Sequence, residues 1–211
     1  MSPNYSTFEN QDKTPYLCSA YLAPVSYYKQ IACSKHVIIE QHDNYIKQTY
    51  RNRCRIAAAN GIIDLSIPIQ KNEAKCPMKD IRIAYSDNWQ QTHWRAIESA
   101  YSSSPFFEYY RDDFEPFYRT KKEFLIDLNI ELQSLVLELM DISTPIAFTT
   151  KYKDSFSENE LDLRDFFHPK KEYPYQLRPY YQVFEQKFGF QKDVSIIDLL
   201  FNMGPESVFY L

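Results

Sequence analysis

Apolar positions along this chain come in short runs of two periods, and the switches between them outline its elements. After a polar opening, residues 1–15, the run YLCSAYL (16–22) predicts a short buried strand. Pro24 then stands at a first-turn position, and VSYYKQIA (25–32) has helical spacing, with Val25, Tyr28, Ile31 and Ala32 on one side. HVIIEQ (36–41) is a β-branched run that suits a central strand. Strand, helix and strand so close together predict a βαβ crossover and a parallel pair.

The next segment, 49–69, holds two extended runs around Asn60-Gly61, a strong hairpin signal. KNEAKCPMKD (71–80) predicts a loop, and IRIAY (81–85) another short strand. Helical spacing dominates from 86 to 140. SDNWQQTHWRAIESAY (86–101) starts with a capping-box spacing, Asp87 to Gln90. Ser104-Pro105 predicts the N-cap and first residue of a second helix, carrying Phe106, Phe107, Tyr110, Phe114 and Phe117. EFLIDLNIELQSLVLELM (123–140) predicts a third, with an apolar face at 125, 128, 132, 135, 136 and 139. PIAFTT (145–150) returns as a strand, the acidic 154–165 as a loop, and 173–184 as irregular backbone. A last helix at 193–204 has Gly204 just past its end. The pattern predicts an α/β fold: a flexible leader, 1–15, and one domain, 16–211. In that domain a mixed sheet starts from the βαβ unit, gains the β-hairpin, and is packed by helices.

Composition then removes function classes. With three glycines in total, neither a phosphate-binding P-loop nor a dinucleotide fingerprint can be built, and no cofactor is expected. The net charge of −4 argues against nucleic acid as a partner. The opening has no apolar signal segment, and residues 124–140 are broken by Asp127, Asn129, Glu131 and Glu138, so no membrane span is expected. Cysteines 18, 33, 54 and 76 form no C-x-x-C pair and predict reduced thiols, hence a cytoplasmic protein.

Against the acidic balance, KQTYRNRCRI (47–56) gathers four cations in nine residues. On an extended backbone Arg51, Arg53 and Arg55 share one face, with Asn52 and Cys54 opposite. Two readings stand: a phosphate or carboxylate site built from guanidinium forks, or a solvated edge strand whose charges discourage pairing. His93 lies one helical turn after Trp89, either as a packed residue or as a general base. His42, with Asp43 beside it, falls at the end of the 36–41 strand, where open α/β sheets gather ligands.

The pattern Tyr45-x-Lys47-x-Thr49-Tyr50-x-Asn52-Arg53-x-Arg55-Ile56, then Gly61 and LSIPI (65–69), resembles the WbqC-like protein family. So do Trp89-x-x-x-His93, Tyr101, Ser104-Pro105-Phe106-Phe107, and the ending from 195 to 211. Two departures stand out. Only Tyr21 survives of a Gln-Pro-x-Tyr-like first strand, and Gln41-His42 replaces two acids. The resemblance implies a bacterial enzyme of O-antigen or surface-polysaccharide assembly, a glycyl or other acyl transferase acting on a nucleotide-linked amino sugar. On that reading Lys47, Arg53 and Arg55 hold phosphates, and His93 or His42 takes the amine proton. Asn52 would donate to the carbonyl oxygen, and Tyr21, Tyr45 and Tyr101 would contact the sugar. A non-catalytic scaffold of a glycan-assembly complex is the alternative.

Overall fold

The computed structural model describes residues 12–71, 75–171 and 177–211. Its frame is a four-stranded parallel sheet in the order β5-β2-β1-β6. β1 (Thr14–Cys18) leads through α1 (Val25–Ala32) to β2 (Val37–Glu40), with Tyr16 opposite Ile38 and Cys18 opposite Glu40. This is the predicted crossover, and β1 begins inside the segment read as a leader. Residues 1–11 lie outside the described residues. β5 (Ile146–Phe148) extends the sheet beside β2, and β6 (Glu160–Asp162) pairs with β1 from the other side. β6 falls where an acidic loop was expected. A three-residue edge strand, Glu-Leu-Asp, has too few positions to display a period.

The hairpin forms as predicted: β3 (Arg53–Ala58) and β4 (Gly61–Ser66) pair antiparallel, Cys54 opposite Leu65 and Ala58 opposite Gly61. Ala59 and Asn60 make the turn, and Gly61 sits at φ +104° as the first residue of the return strand. That conformation suits glycine and few other residues. The hairpin stands apart as its own two-stranded ribbon and does not extend the parallel sheet. Residues 81–85 form only isolated bridges, Ile83 with Ile69 and Arg82 with Phe124, in place of a strand.

Three helices follow: α2 (Trp89–Tyr101), α3 (Phe107–Arg119) and α4 (Leu125–Leu139). The capping signals act elsewhere than expected. Gln90 donates its amide to the carbonyls of Phe117 and Thr120, tying α2 to the end of α3. The Ser104 hydroxyl bonds the Tyr101 carbonyl at 2.6 Å, so it closes α2 and leaves Phe106 as N-cap of α3. On α4 the predicted stripe is buried at Leu125, Leu128, Leu132 and Val136, while Leu135 and Leu139 are half-buried. Asn129 and Gln133 are buried as well, so α4 is covered on more than one face. A short α5 (Glu185–Phe188) precedes α6 (Ile196–Met203), which ends at Gly204, φ +55°. No helix of the described residues is long and apolar enough to cross a membrane, and the four cysteines are free thiols.

One acid is buried within this last helix. Asp198 accepts hydrogen bonds from the Tyr180 hydroxyl (2.8 Å) and the Gln182 amide (2.7 Å), and burial pushes its pKa up to about 6. The folded state therefore binds a proton more readily than the unfolded chain, whose reference pKa is 3.8. Stability from this group is fully present below pH 3.8 and is lost as pH rises through 6. Asp198→Asn removes the penalty. In thermal unfolding scans the variant should gain on the wild type as pH rises from 4 to 7, by roughly 1–3 kcal/mol in stability. An unchanged difference across that range would refute the assignment.

Candidate functional site

The strand order fixes where a ligand would sit. The chain runs β1, β2, β5 in one direction, then returns to place β6 on the far side of β1. The order thus reverses at β1 and β6, and open α/β sheets bind ligands in the crevice beyond the carboxyl ends at such a point. Four loops converge on that end: 19–24 after β1, 41–52 after β2, 149–153 after β5, and 163–171 after β6.

Arg51 is the central side chain, only 1% exposed. Its Nη2 donates to Asp43 Oδ2 at 2.8 Å and to Asp165 Oδ1 at 3.1 Å, so the loops after β2 and β6 each supply a carboxylate. Asn129 of α4 donates to the Arg51 carbonyl (2.8 Å) and to the Ser19 hydroxyl (3.0 Å), linking this knot to the loop after β1. Cys18 lies within electrostatic range of Arg51, and burial pushes its thiol pKa up, which keeps it protonated. Beside this knot is a second one. Glu40, fully buried, accepts from the Thr149 hydroxyl (2.7 Å), the His42 N–H (2.8 Å) and the Lys153 N–H (3.2 Å). Arg164 lies 3.7 Å from Glu40, forks onto both oxygens of Asp162 at 2.8 and 2.7 Å, and stacks on Tyr152 and Phe156.

Counting charges, the inner edge holds Arg51 and Arg164 against Asp43, Asp165, Glu40 and Asp162. The rim is basic: Lys47 is exposed, Lys170 reaches Gln48 (3.0 Å), and Lys171 reaches the Asp165 carbonyl (2.8 Å). His168 accepts the Lys170 N–H on Nδ1, and burial together with the two lysines lowers its pKa. His42 is half-buried at the end of β2, where the sequence placed it.

The loop after β1 is strained. Leu22 adopts φ +41°, held by the Ser195 hydroxyl on its carbonyl (2.7 Å), by Ile196 N–H on the Ala23 carbonyl, and by Tyr21 N–H on Tyr50. The N-terminus of α1, an anion site in many related sheets, is already filled. Asp193 accepts both the N–H and the hydroxyl of Ser26, each at 2.9 Å.

The expected site residues divide into groups. His42, Tyr45 and Lys47 belong to the loop after β2, with Tyr45 half-buried between Arg51 and Arg53. Arg55 reaches the Pro169 carbonyl at 3.4 Å and Asp64 at 3.7 Å, while Arg53 is taken up by Ser66 and Asp64, each at 2.9 Å. The other four are engaged internally. Asn52 donates to the Ile67 carbonyl (2.7 Å). His93, 4% exposed, receives the Tyr21 hydroxyl on Nδ1 (3.1 Å), and Tyr21 meets Tyr118 at 2.8 Å. Its other hydrogen bond goes to the Ser66 backbone, and burial takes its pKa down to about 4. Tyr101 is buried with no hydrogen-bond partner for its hydroxyl, near Asp198.

The shared face expected for the three arginines is not formed. β3 starts only at Arg53, and Arg51 turns inward ahead of it. The family pattern leaves Arg51 out, the Asp162-Asp165 spacing reads in the sequence as exposed surface acids, and nothing there singles out Glu40 or Arg164. The one available signal was the pairing of Asp43 with a following arginine inside a loop that a strand delivers to the sheet edge. Among the described residues, no group of three His, Cys, Asp or Glu is arranged to hold a metal ion.

Fold and edge together define an α/β protein with a charged crevice at the carboxyl end of a small parallel sheet. The chain belongs to the WbqC-like protein family, whose profile matches residues 19–168. That span begins in the loop after β1 and covers the loops after β2 and β5 whole, and the loop after β6 as far as His168. An uncharacterized protein of Mycobacterium tuberculosis is 27% identical over 219 residues, covering 92% of this chain and 94% of that protein. No solved structure matches.

The arginines separate by burial, and so should their substitutions. Arg51→Ala leaves the largely buried Asp43 carboxylate without its partner and should lower stability by about 3–5 kcal/mol. Arg53→Ala breaks a half-exposed pair and should cost no more than ~1 kcal/mol. Urea titrations of both variants test this, and equal losses would refute the division.

Proposed function

We propose that this protein is an enzyme of surface-polysaccharide assembly that transfers an acyl group to the amine of a nucleotide-linked amino sugar. The reading is carried by one observation, the acid-lined crevice with a basic rim at the point where the strand order reverses. A nucleotide-linked amino sugar has matching ends: an amine for the inner carboxylates and a diphosphate for the rim. Lys47 and Lys170 contact the phosphates, Asp165 receives the ammonium group, and Tyr45 packs on the sugar.

For transfer, the amine must lose a proton as its nitrogen adds to the acyl carbonyl and the acyl donor's leaving group departs. His42 takes that proton. It is preferred to His93, whose Nδ1 lone pair already accepts the Tyr21 hydroxyl and whose pKa burial lowers to about 4. Buried Arg51 acts as a positioning residue, since its Nη2, anchored on Asp43, sets the direction of Asp165.

Thermal unfolding with UDP- and dTDP-linked amino sugars tests the reading. At a hundredfold excess over Kd a ligand adds about 2.7 kcal/mol, a rise of several degrees in Tm. The rise should vanish in a Lys47→Ala/Lys170→Ala double variant and shrink when the sugar amine is replaced by a hydroxyl. No rise with any amino-sugar nucleotide, for a folded protein, would sink the proposal.

A further inference from the structure

A second cleft, of about 480 Å³, lies between α2 and α3, and none of the loops of the crevice contributes to it. Its size falls within the range of small-molecule sites. Trp94 and Tyr118 line it, stacked with ring centroids 5.4 Å apart and 28° between planes. Both rings are more than nine-tenths buried.

The hydrogen-bonding balance among the lining residues is uneven. Two glutamates line it, each paired with an arginine through one oxygen: Glu98 with Arg111 at 3.0 Å, and Glu115 with Arg119 one helical turn later. The third arginine, Arg95, has no hydrogen bond or ion pair among the described residues. The Trp94 indole N–H and the Arg111 Nε–H are both buried without an acceptor. Gln91 already spends its Oε1 on Asn88 (2.7 Å), which leaves its amide N–H groups as further donors. Buried donors are almost always satisfied in folded proteins, and two unmet ones lining a single cleft indicate a missing acceptor. The cleft also carries three guanidiniums against two carboxylates, a local positive charge on a chain of net charge −4. The planar fork of a guanidinium suits a carboxylate or phosphate.

We propose that the cleft between α2 and α3 binds a small organic anion, a carboxylate or phosphate ester, held by Arg95 and accepting the Trp94 indole N–H. Such a ligand supplies an acceptor to the unmet donors and neutralises the surplus cation. Contact with the indole N–H, which is buried in this conformation, requires Trp94 to rotate against Tyr118. This site is independent of the crevice reading.

Only two indole N–H groups exist in the chain, Trp89 and Trp94, so the indole region of a nitrogen–proton correlation spectrum reports the cleft directly. Trp94→Phe assigns the signals. Uridine monophosphate, citrate and inorganic pyrophosphate are titrated separately to millimolar concentration, which distinguishes phosphate esters from carboxylates and from bare charge. The Trp94 signal should move saturably with at least one of the two organic anions while the Trp89 signal stays in place. Arg95→Ala should raise that Kd about tenfold, as expected for one lost charge-assisted contact, and Arg95→Glu should abolish binding. Lys47→Ala, at the other site, should leave the titration unchanged. A Trp94 signal that stays fixed with both organic anions overturns the proposal. So does a Kd that Arg95→Ala leaves unaltered, or one that Lys47→Ala weakens equally.

Discussion

Burying Arg51 is the constraint on which the carboxyl edge depends. A guanidinium cannot shed its charge, so once it is taken from water it must be surrounded by acceptors and counter-charge. The fold supplies these from the same loop and from a distant one: Asp43, within the loop after β2 that also carries Arg51, and Asp165 from the loop after β6. It also explains why an edge strand as short as β6 is retained, since pairing Thr14 with Glu160 and Tyr16 with Asp162 is what carries Asp165 to Arg51. The hairpin inherits its start from the same requirement. With Arg51 turned inward and Asn52 bonded to the Ile67 carbonyl, regular pairing cannot begin before Arg53.

A second network, with no charge in it, fixes the hairpin against the helices. Tyr118 of α3, Tyr21 of the loop after β1, and His93 of α2 form a continuous buried chain that reaches the Ser66 backbone at the end of β4. A neutral imidazole fills this position by accepting at one nitrogen and donating at the other, and burial, which takes the His93 pKa down to about 4, keeps it neutral. The Trp89-x-x-x-His93 spacing is thus explained by packing, Trp89 lying edge-on to His93 at 5.1 Å. The loop after β1 is therefore gripped at Tyr21, while Ser195 and Ile196 grip it at Leu22 and Ala23. A strained Leu22 survives because both sides over-determine it.

Elements with an extended hydrophobic period were legible in the sequence: α1, β2, the hairpin and α4 stand where their spacing put them, whereas β1 spans Thr14–Cys18 and the 19–22 part of its expected run is loop. Features set by tertiary partners were not. Ser104 and Gln90 carried cap signals but found acceptors in a preceding turn and a neighbouring helix. β6 exists because β1 had an open edge, which nothing in Glu160-Leu161-Asp162 announces. At the candidate site the loop bearing His42, Tyr45 and Lys47 was legible from its position after a strand. Arg51 was not, because period-two reasoning assumes an extended backbone through 49–57, and the chain is still turning at Arg51. Its carboxylate partner Asp165 is 114 residues away, beyond any local pattern.

The occupied N-terminus of α1 decides how an anion could enter the crevice. In sheets of this kind the backbone N–H groups after β1 commonly receive a phosphate, and a chain with three glycines has little means of building the tight loop this needs. Here Asp193 takes that place, bonding Ser26 twice. A resident carboxylate repels a second anion at the same spot, so phosphate recognition has to shift outward to side-chain cations. The rim lysines of the loops after β2 and β6 are the cations in reach. The carboxylates beneath them are committed to Arg51 and Arg164 on one side only, since Asp165 keeps 63% of its side chain exposed. On the proposed function, an inner edge that presents acid and an outer rim that presents base would favour a ligand carrying both charges over a simple phosphate.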